Sequence, residues 1–375
     1  MASFFQNPLV ISLIITVCLI LGIPLIALYL SLIERKVLAD FQVRLGPMRV
    51  GPHGLLQPLA DAVKLLSKED IIPAGADRAI FWMAPCLSVF TALTALSVVP
   101  LSRNIHVADV NVGLLVVSAM SAVGILGIVL GAWSSNSHYA LLGALRSGAQ
   151  LISYEVALAF SLLSGVMAAG TLSMVGIVQG QQQRGVWIVF ENYGLMVIPF
   201  VMYIIAATAE TNRAPFDLPE AESELVAGFH TEYSGFRWAL YFLAEYANIF
   251  VIASVAVTLF WGGWLRPFPN VAWLEYPLNY ALPVAILAGS GLLCFRMARR
   301  LTSRWRQMLL MAVGLLLMLL SLPFLVPVIY AMIWFRGTWP RLRYDQLMNI
   351  GWKRLIPLGM AMVLINAAVG MLRGQ

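Results

Sequence analysis

Charged side chains are scarce in this chain, and their scarcity excludes an ordinary water-soluble domain. Only 11% of the 375 residues are Asp, Glu, Lys or Arg, whereas a soluble domain carries about 25%. Hydrophobic residues make up 60% of the chain, and the mean hydropathy is +0.83. Folding alone cannot hide this much apolar surface from water, so the composition indicates a protein that uses lipid as solvent.

Cysteine is also scarce, and the common cofactor motifs are missing. Cys18, Cys86 and Cys294 lie in apolar runs without a CxxC pair or a His/Cys cluster, which argues against disulfides, zinc and iron–sulfur ligation. The sequence has no Gly-rich dinucleotide motif, Walker loop, zinc-protease motif or nucleophile elbow. We therefore expect that the chain itself binds no metal, NADH, flavin or iron–sulfur cluster.

What the chain has instead is a series of apolar runs, most of them close to the roughly 20 residues that a helix needs to cross a bilayer. These runs are too long and continuous for barrel strands, and only helices or closed barrels satisfy their backbone in lipid. We predict an all-α fold, a polytopic bundle of about eight or nine transmembrane helices in a single integral membrane domain over 1–375. The predicted spans are 8–33, 80–101, 113–134, 149–172, 194–211, 236–263, 279–297, 307–335 and 354–372. The first run lacks a basic leader and a cleavage site, which predicts a retained helix.

The net charge of +6 is spread over the loops, which indicates membrane topology rather than a nucleic-acid interface. The stretch 34–78 holds seven Lys or Arg residues and the next loop only Arg103, so we place the first loop (34–79) in the cytoplasm. Alternation then puts 135–148 and the acidic loop (210–235) on the same side. Two basic clusters, within 296–306 and 336–354, flank the span 307–335. Either one cluster is external, or the extra apolar segment within 265–335 does not fully cross.

The segment 54–68 in the first loop has a different pattern. Its apolar residues and its polar residues fall on opposite sides of a helix that is too short to span a bilayer. The apolar set is Leu55, Leu56, Leu59, Val63 and Leu66; the polar set is Gln57, Asp61, Lys64 and Lys68. We predict an amphipathic helix that lies along the membrane surface, or a loop helix packed on its own protein; the two are compatible.

Acidic residues inside or beside the spans are functional candidates, because a charge at the bilayer centre costs about 3 kcal/mol or more. Glu155 and Glu245 have apolar residues on both sides, and no basic residue lies within a helical turn of either. Glu34 closes the first span beside Arg35, and Glu210 closes the fifth. The alternative is a structural ion pair or a snorkelling end residue, which we favour for Glu34 alone.

The acidic loop is the densest ionisable segment. Between 210 and 237, six acids face two arginines, Arg213 and Arg237, which leaves a formal charge of −4. The acids are Glu210, Asp217, Glu220, Glu222, Glu224 and Glu232. One interpretation is a well-capped helix that begins near 218. The other is a cluster that shares protons, because like charges four residues apart on a helix repel and burial adds to the cost. Followed by Glu210, Glu245 and Glu155, such a cluster could start a proton path.

Several of these segments resemble a known family. They are ERKVLADFQVRLGP and the residues after it to Asp70, WSSNSHYALLGALRSGAQLISYE, AETNRAPFDLPEAESELVAGF, EYSGFRWALYFLAEYAN and PRLRYDQLMNIGWK. Together they are similar to the membrane subunit called H in bacterial NADH:quinone oxidoreductase, subunit 1 in mitochondria, over about 34–264 and 336–372. Met48, His138 and the extra apolar segment depart from the family pattern.

The resemblance implies a subunit of respiratory complex I in the cell inner membrane. It implies a quinone chamber framed by Glu34, Arg35, Arg44, Arg49, Gln57, Asp61, Arg213, Phe216 and Asp217. It also implies a proton path through Glu155, Glu210, Glu220, Glu222, Glu224 and Glu245. The implied partners are quinone, membrane lipid, the peripheral subunits that carry the terminal iron–sulfur cluster, and small neighbouring membrane subunits. The family places the RYDQLM loop in the cytoplasm.

Two other functions fit parts of the sequence. One is a membrane subunit of an energy-converting hydrogenase, without quinone; the intact first loop and the full ETNRAPFD segment argue against it. The other is a stand-alone ion-coupled transporter, a class that tends to have internal repeats and broken helices at matched positions. The sequence contains neither feature, and activity of the single chain in vesicles would be needed to support this function.

Overall fold

A computed structural model of the chain describes residues 8–102, 106–217, 227–265 and 325–373. Within these ranges the regular structure is helical and no β-strand occurs, which confirms the all-α prediction. The helices are α1 (Pro8–Phe41), α2 (Gln57–Ser67), α3 (Arg78–Val98), α4 (Gly113–Ser134), α5 (His138–Ala169), α6 (Met174–Arg184), α7 (Val197–Glu210), α8 (Gly235–Phe260), α9 (Leu325–Thr338), α10 (Tyr344–Ile350) and α11 (Ile356–Arg373). A π-helical turn, Gly351–Leu355, joins α10 to α11.

Six of the described helical stretches are long and apolar enough to cross a membrane, with mean hydropathies between 1.7 and 2.8 over their best windows. They are Ser12–Phe41, Arg78–Val98, Gly113–Ser134, His138–Ala169, Gly235–Phe260 and Tyr344–Leu372. The shorter apolar helices α7 and α9 pack against α8 in the same bundle. The chain is therefore a multi-pass helical membrane protein.

Three helices extend beyond the predicted spans, all at the ends that carry polar residues. The first helix continues from 33 to Phe41, α5 begins at His138 rather than 149, and the last helical stretch begins at Tyr344 rather than 354. Hydropathy falls in these extensions, but their polar side chains have partners in the fold. Gln150 of α5, for example, is fully buried. The interior provides hydrogen bonds where lipid could not.

The bundle is organised around α8, the most deeply buried span. It is packed against α1, α3, α5, α6, α7 and α9, and the residues from Ile249 to Phe260 are all buried. Its hydroxyls at Ser254 and Thr258 donate to the carbonyl oxygens one turn earlier, so these two groups do not require water. Small residues bring α3 and α4 together, because a Cβ at Gly127 would lie 2.3 Å from Ser88 Oγ.

The predicted amphipathic segment 54–68 forms the helix α2, as expected. Its apolar residues Leu59, Val63 and Leu66 are 41%, 63% and 64% exposed, while the helix contacts α1 and α8. The short helix α6 was not predicted. It is polar, and it is defined by its caps: Ser173 Oγ accepts from Gly176 N at 3.1 Å, and Gly185 ends it in a left-handed conformation.

Some predictions lie outside the described residues. These are the helix expected to begin near 218, the span 279–297, and most of the span 307–335 with the basic cluster within 296–306.

Candidate functional site

Arg213 lies at the centre of a buried charge cluster where α1, α7, α8 and α9 converge. It follows the end of α7, and its Nη1 donates to Glu34 Oε1 at 2.7 Å while its Nη2 lies 3.0 Å from Glu245 Oε1. The side chains of Arg213 and Glu34 are 6% and 5% exposed. One cation thus holds two acids that come from different helices.

Two further residues complete this cluster. Tyr246 Oη donates to Glu34 Oε2 at 2.7 Å, and its ring centroid lies 4.6 Å from the guanidinium carbon of Arg213. Arg336, near the end of α9, also donates to Glu34. Burial works to lower the pKa of Arg213, but Glu245 and Glu34 outweigh burial and raise it. Arg213 is therefore permanently charged, and it fixes the positions of its partners.

These contacts revise the interpretation of two acids. For Glu34 we expected an ion pair with its neighbours, but its partners are Arg213 and Arg336, from distant parts of the chain. For Glu245 an ion pair was the less favoured alternative, yet it pairs with Arg213. The expectation failed because no basic residue lies within a turn of Glu245 in sequence, whereas the fold brings one from another loop.

The start of the acidic loop is held in a compact turn by α5 and by the segment after α9. Gln150 Nε2 donates to Ala209 O at 2.9 Å and to Phe216 O at 2.8 Å, and so spans the turn. The ring of Phe216 packs against Tyr154 with centroids 5.4 Å apart. This turn places Arg213 and Phe216 on opposite sides of one short segment.

Asp217 connects the acidic loop to the RYDQLM segment. Its Oδ2 accepts from Arg341 Nη2 at 3.0 Å, and Leu342 N donates to Pro215 O at 3.0 Å. Burial raises the pKa of Asp217 above its ordinary value, although Arg341, Arg336 and Arg213 oppose the rise. The RYDQLM segment therefore lies on the same face of the bundle as Glu34 and the acidic loop.

A cavity of about 410 Å³ opens beside the charge cluster. It extends from His230 and Arg336 at the helix ends to Thr91 and Ser121 near the middle of α3 and α4. Its charged and titratable lining residues, among those described, are Glu34, Arg35, Glu210, Arg213, His230, Glu245 and Arg336, with Tyr241 and Tyr246 beside them. The cavity thus connects the loops to the interior of the bundle.

Glu210 differs from the other two acids of the cavity. Ser121 donates to its Oε1, and among the described residues no Lys or Arg lies within ion-pair distance of it. Its Oε2 is buried and has no hydrogen-bond partner in the same part of the chain. Glu210 can therefore gain or lose a proton without breaking an ion pair.

The other predicted site residues lie at varying distances from this cavity. Arg35 lines it and pairs with Asp61 Oδ2 at 2.7 Å, and Gln57 Nε2 donates to Asp61 Oδ1 at 2.9 Å. This chain of contacts ties α2 to α1. Arg44 and Arg49 are exposed in the first loop, away from the lining.

Glu155 is partly buried on α5 and does not line the cavity, although its charge acts on Glu210. Glu220, Glu222 and Glu224 lie outside the described residues. The structure thus brings Glu34, Glu210, Glu245 and Arg213 together and leaves Glu155 one helix away.

Sequence reasoning missed Tyr246, Arg336, His230 and Ser121. Tyr246 and Arg336 contact Glu34 across 212 and 302 residues of sequence, so no local pattern could have found them. His230 could have been found, because it is a lone histidine beside the acidic cluster. Burial lowers the pKa of His230, and Glu245 and Asp217 oppose the fall.

Among the described residues, no group of three or more His, Cys, Asp or Glu side chains is arranged to hold a metal ion. The acids of the cavity instead face arginines or a serine hydroxyl. The chemistry available here is proton binding and recognition of a polar group by fixed cations.

Comparisons with known proteins match the whole chain. The family model described as NADH dehydrogenase matches residues 14–367. The chain is 67% identical over 390 aligned residues to a protein of Solibacter usitatus (strain Ellin6076) that is named as the second H-type subunit of NADH-quinone oxidoreductase, with 99% of both proteins covered. It is 47% identical to the first H-type subunit of the same enzyme in Koribacter versatilis (strain Ellin345), with 94% of this chain and 90% of that protein covered. It is 44% identical to "NADH-quinone oxidoreductase subunit 8" of Rhodothermus marinus, covering 96% and 97%.

Proposed function

The chain belongs to the NADH dehydrogenase family, as the H-type membrane subunit of NADH-quinone oxidoreductase, complex I, and from this premise we propose how it contributes to the reaction. It frames the chamber that receives quinone at the junction with the peripheral arm. It also couples quinone reduction to proton translocation through its buried acids. The chamber and the coupling are the parts that require a test.

The observation that carries this proposal is the cavity lined by Glu34, Glu210, Glu245 and Arg213. One end lies at the loops that face α2 and the other lies within the bundle, between α3 and α4. A quinone has an uncharged head with two carbonyl oxygens, and fixed cations such as Arg213 and Arg35 are suited to polarise such groups. The exposed apolar residues of α2 suit the isoprenoid tail and the surrounding lipid.

Reduction of a quinone to a quinol consumes two electrons and two protons, so it changes the charge and the proton demand of the chamber. Glu34 and Glu245 are held by Arg213 and respond by shifting contacts. Glu210 has no such cation among the described residues and responds by exchanging a proton. We propose that Glu210 receives protons from the acidic loop, including Glu220, Glu222 and Glu224, and communicates with Glu155 on α5.

The remaining parts of the proposal concern partners and location. The peripheral subunits that carry the terminal iron–sulfur cluster dock on the face formed by the first loop, the acidic loop and the RYDQLM segment, which we place in the cytoplasm. Small membrane subunits lie beside the bundle in the cell inner membrane. The chain itself carries no NADH, flavin, iron–sulfur cluster or metal; quinone is the substrate of the complex.

The test is substitution of Glu210 by Gln in the assembled complex, with Glu69→Gln as the control because Glu69 is an exposed acid of the first loop. We expect Glu210→Gln to lower quinone-reductase turnover at least about tenfold, since a positioned proton-transfer group contributes a factor of roughly 10²–10⁴. Glu220→Gln and Glu224→Gln should also impair turnover while the complex still assembles. Normal turnover and proton pumping in all three variants would refute the coupling role.

A second measurement separates quinone binding from the quinone-free hydrogenase alternative. A photoreactive quinone analogue should label the first loop or α2 in the assembled complex, and excess unlabelled quinone should abolish the labelling. Labelling confined to other subunits would remove the chamber from this chain.

A further inference from the structure

Arg237 makes a second buried ion pair, separate from the cavity, between the ends of two loops. It lies in the first turn of α8, directly after the acidic loop, and only 2% of its surface is exposed. Its Nη2 lies 2.9 Å from Asp70 Oδ2, at the end of the segment that follows α2. An arginine at the first turn of a membrane helix normally extends toward water, so its burial requires another explanation.

The guanidinium of Arg237 is enclosed by aromatic rings of α3. Its central carbon lies 4.2 Å from the ring centroid of Trp82 and 5.1 Å from that of Phe81. Phe81 in turn stacks on Tyr233, with centroids 4.1 Å apart and planes 6° apart. A cation between aromatic faces gains electrostatic stabilisation that replaces part of its lost hydration.

Backbone contacts join the same two segments. Ile71 N donates to Ser234 Oγ at 3.1 Å, and Ser234 Oγ donates to Glu69 O at 3.4 Å. Gly235 has a φ of +56°, and a Cβ there would lie 3.0 Å from Lys68 O, so the close approach of the two chains requires glycine. We call this group of contacts, made by residues 68–71, Phe81, Trp82 and 233–237, the loop latch.

We propose that Arg237 is a positioning residue that fastens the end of the first loop to the end of the acidic loop, so that α2 and the described end of the acidic loop move as one body. Nothing in the reaction requires a buried arginine at this point, because it lies outside the lining of the cavity. Its contacts serve only to hold 68–71 against 233–237 and both against α3.

The consequence for coupling rests on the proposed function. If α2 borders the quinone chamber and the acidic loop supplies protons, the latch makes the two respond together. A displacement of α2 by quinone is then transmitted to the acidic loop without passing through the cavity. The alternative is that the two loops move independently and the latch is only a local packing contact.

The first test is hydrogen exchange on the assembled complex, comparing Arg237→Met with Arg78→Met as the control. Arg78 is an exposed arginine in the first turn of the neighbouring helix α3. We expect Arg237→Met to speed exchange about tenfold or more at Ile71, Lys68 and the amides of 234–238 together, because a buried partner is left unsatisfied. Arg78→Met should leave these amides unchanged. Faster exchange in only one of the two segments would overturn the proposal.

Kinetics of the same variants separate positioning from general destabilisation. Arg237→Met should raise the KM for quinone and lower the number of protons pumped per electron, while Arg237→Lys, which keeps the charge beside Asp70, should recover part of both. A fall in kcat alone, with KM and stoichiometry unchanged, would indicate a merely structural role and overturn the positioning assignment. Coupled exchange with unaltered kinetics in all respects would leave the latch standing and count against the proposed function instead.

A cross-link provides a test that does not depend on assembly of the Arg237 variants. Ile71→Cys and Ser234→Cys place two thiols at a contact of 3.1 Å between the parent atoms, within reach of a disulfide. We expect the oxidised complex to turn over at the rate of the reduced complex, because the joined segments already move together. Inhibition that is reversed by a reductant, and that is absent in either single variant, would show that the latch must open and would overturn the proposal.

Discussion

Replacement of Arg213 by Gln should be the most damaging single change in the cavity, because one cation there serves two acids. The substitution removes the partner of Glu34 at 2.7 Å and of Glu245 at 3.0 Å. Glu34 keeps Arg336, whose side chain is 32% exposed, and the hydroxyl of Tyr246. The two carboxylates then face each other across the space that the guanidinium occupied.

The size of the effect follows from burial. The side chains of Arg213 and Glu34 are 6% and 5% exposed, and removal of one partner of a buried ion pair costs about 3–5 kcal/mol. The Glu245 side chain is 22% exposed, and in Glu245→Gln Arg213 still holds Glu34, so we expect a smaller loss of about 1–3 kcal/mol. A difference of about 2 kcal/mol corresponds to a roughly thirtyfold difference in rate if it falls on the native state.

The assay is the rate of heat inactivation of the purified complex, together with the amount of assembled complex in the membrane. Irreversible unfolding makes a rate the appropriate measure of stability for a large membrane assembly. The double variant Arg213→Gln/Glu245→Gln should inactivate more slowly than Arg213→Gln, because it removes the repulsion between the acids, and the two effects should therefore be non-additive. Equal rates for Arg213→Gln and Glu245→Gln, or strictly additive effects, would refute this reasoning.

Two further predictions concern pH and packing. His230 has a lowered pKa because it is buried, so the stability that its neutral form contributes is complete above about 6.5 and is lost as the pH falls through the lower folded value. His230→Gln should flatten the acid side of the inactivation profile as the pH falls below about 6.5, and an unchanged profile would contradict the assignment. A Cβ on Gly131 would lie 2.0 Å from Tyr241 Oη, so Gly131→Ala should destabilise the complex by about 1–3 kcal/mol in the same heat assay; Gly22→Ala, where a Cβ meets nothing within 4 Å, serves as the control and should have no such effect.

The architecture could be predicted from the sequence because lipid imposes it. Apolar runs near 20 residues become helices whatever their partners, and the amphipathic pattern of 54–68 produced α2 for the same local reason. Boundaries were less accurate at the polar ends. Residues 138–148 of α5 were interpreted as a loop because their hydropathy falls, yet the helix continues there because tertiary contacts satisfy its polar groups.

The pairing of charges could not be predicted, and the physical reason is distance along the chain. Glu34 meets Arg213 across 179 residues and Arg336 across 302. Composition correctly marked Glu34, Glu210 and Glu245 as unusual acids, since each lies in or at the end of an apolar run. Which acids would have a cation and which would not depends on how helices pack, and a single sequence does not contain that information.

The balance of charges around the cavity gives the three acids different roles. Among its described lining residues, Glu34, Glu210 and Glu245 face Arg35, Arg213 and Arg336, so the formal charges cancel and the cavity can receive an uncharged quinone. The cations are not evenly shared, however: Arg35 pairs with Asp61 outside the lining, and Arg213 and Arg336 both contact Glu34. Glu210 is left with Ser121. On the proposed function, a proton that enters this cavity can be held at Glu210 without displacing an arginine, while a proton at Glu34 would release two of them. Proton storage and structural switching would then reside in different acids of the same cavity, and Glu210→Gln should abolish the first while leaving the contacts of Arg213 intact.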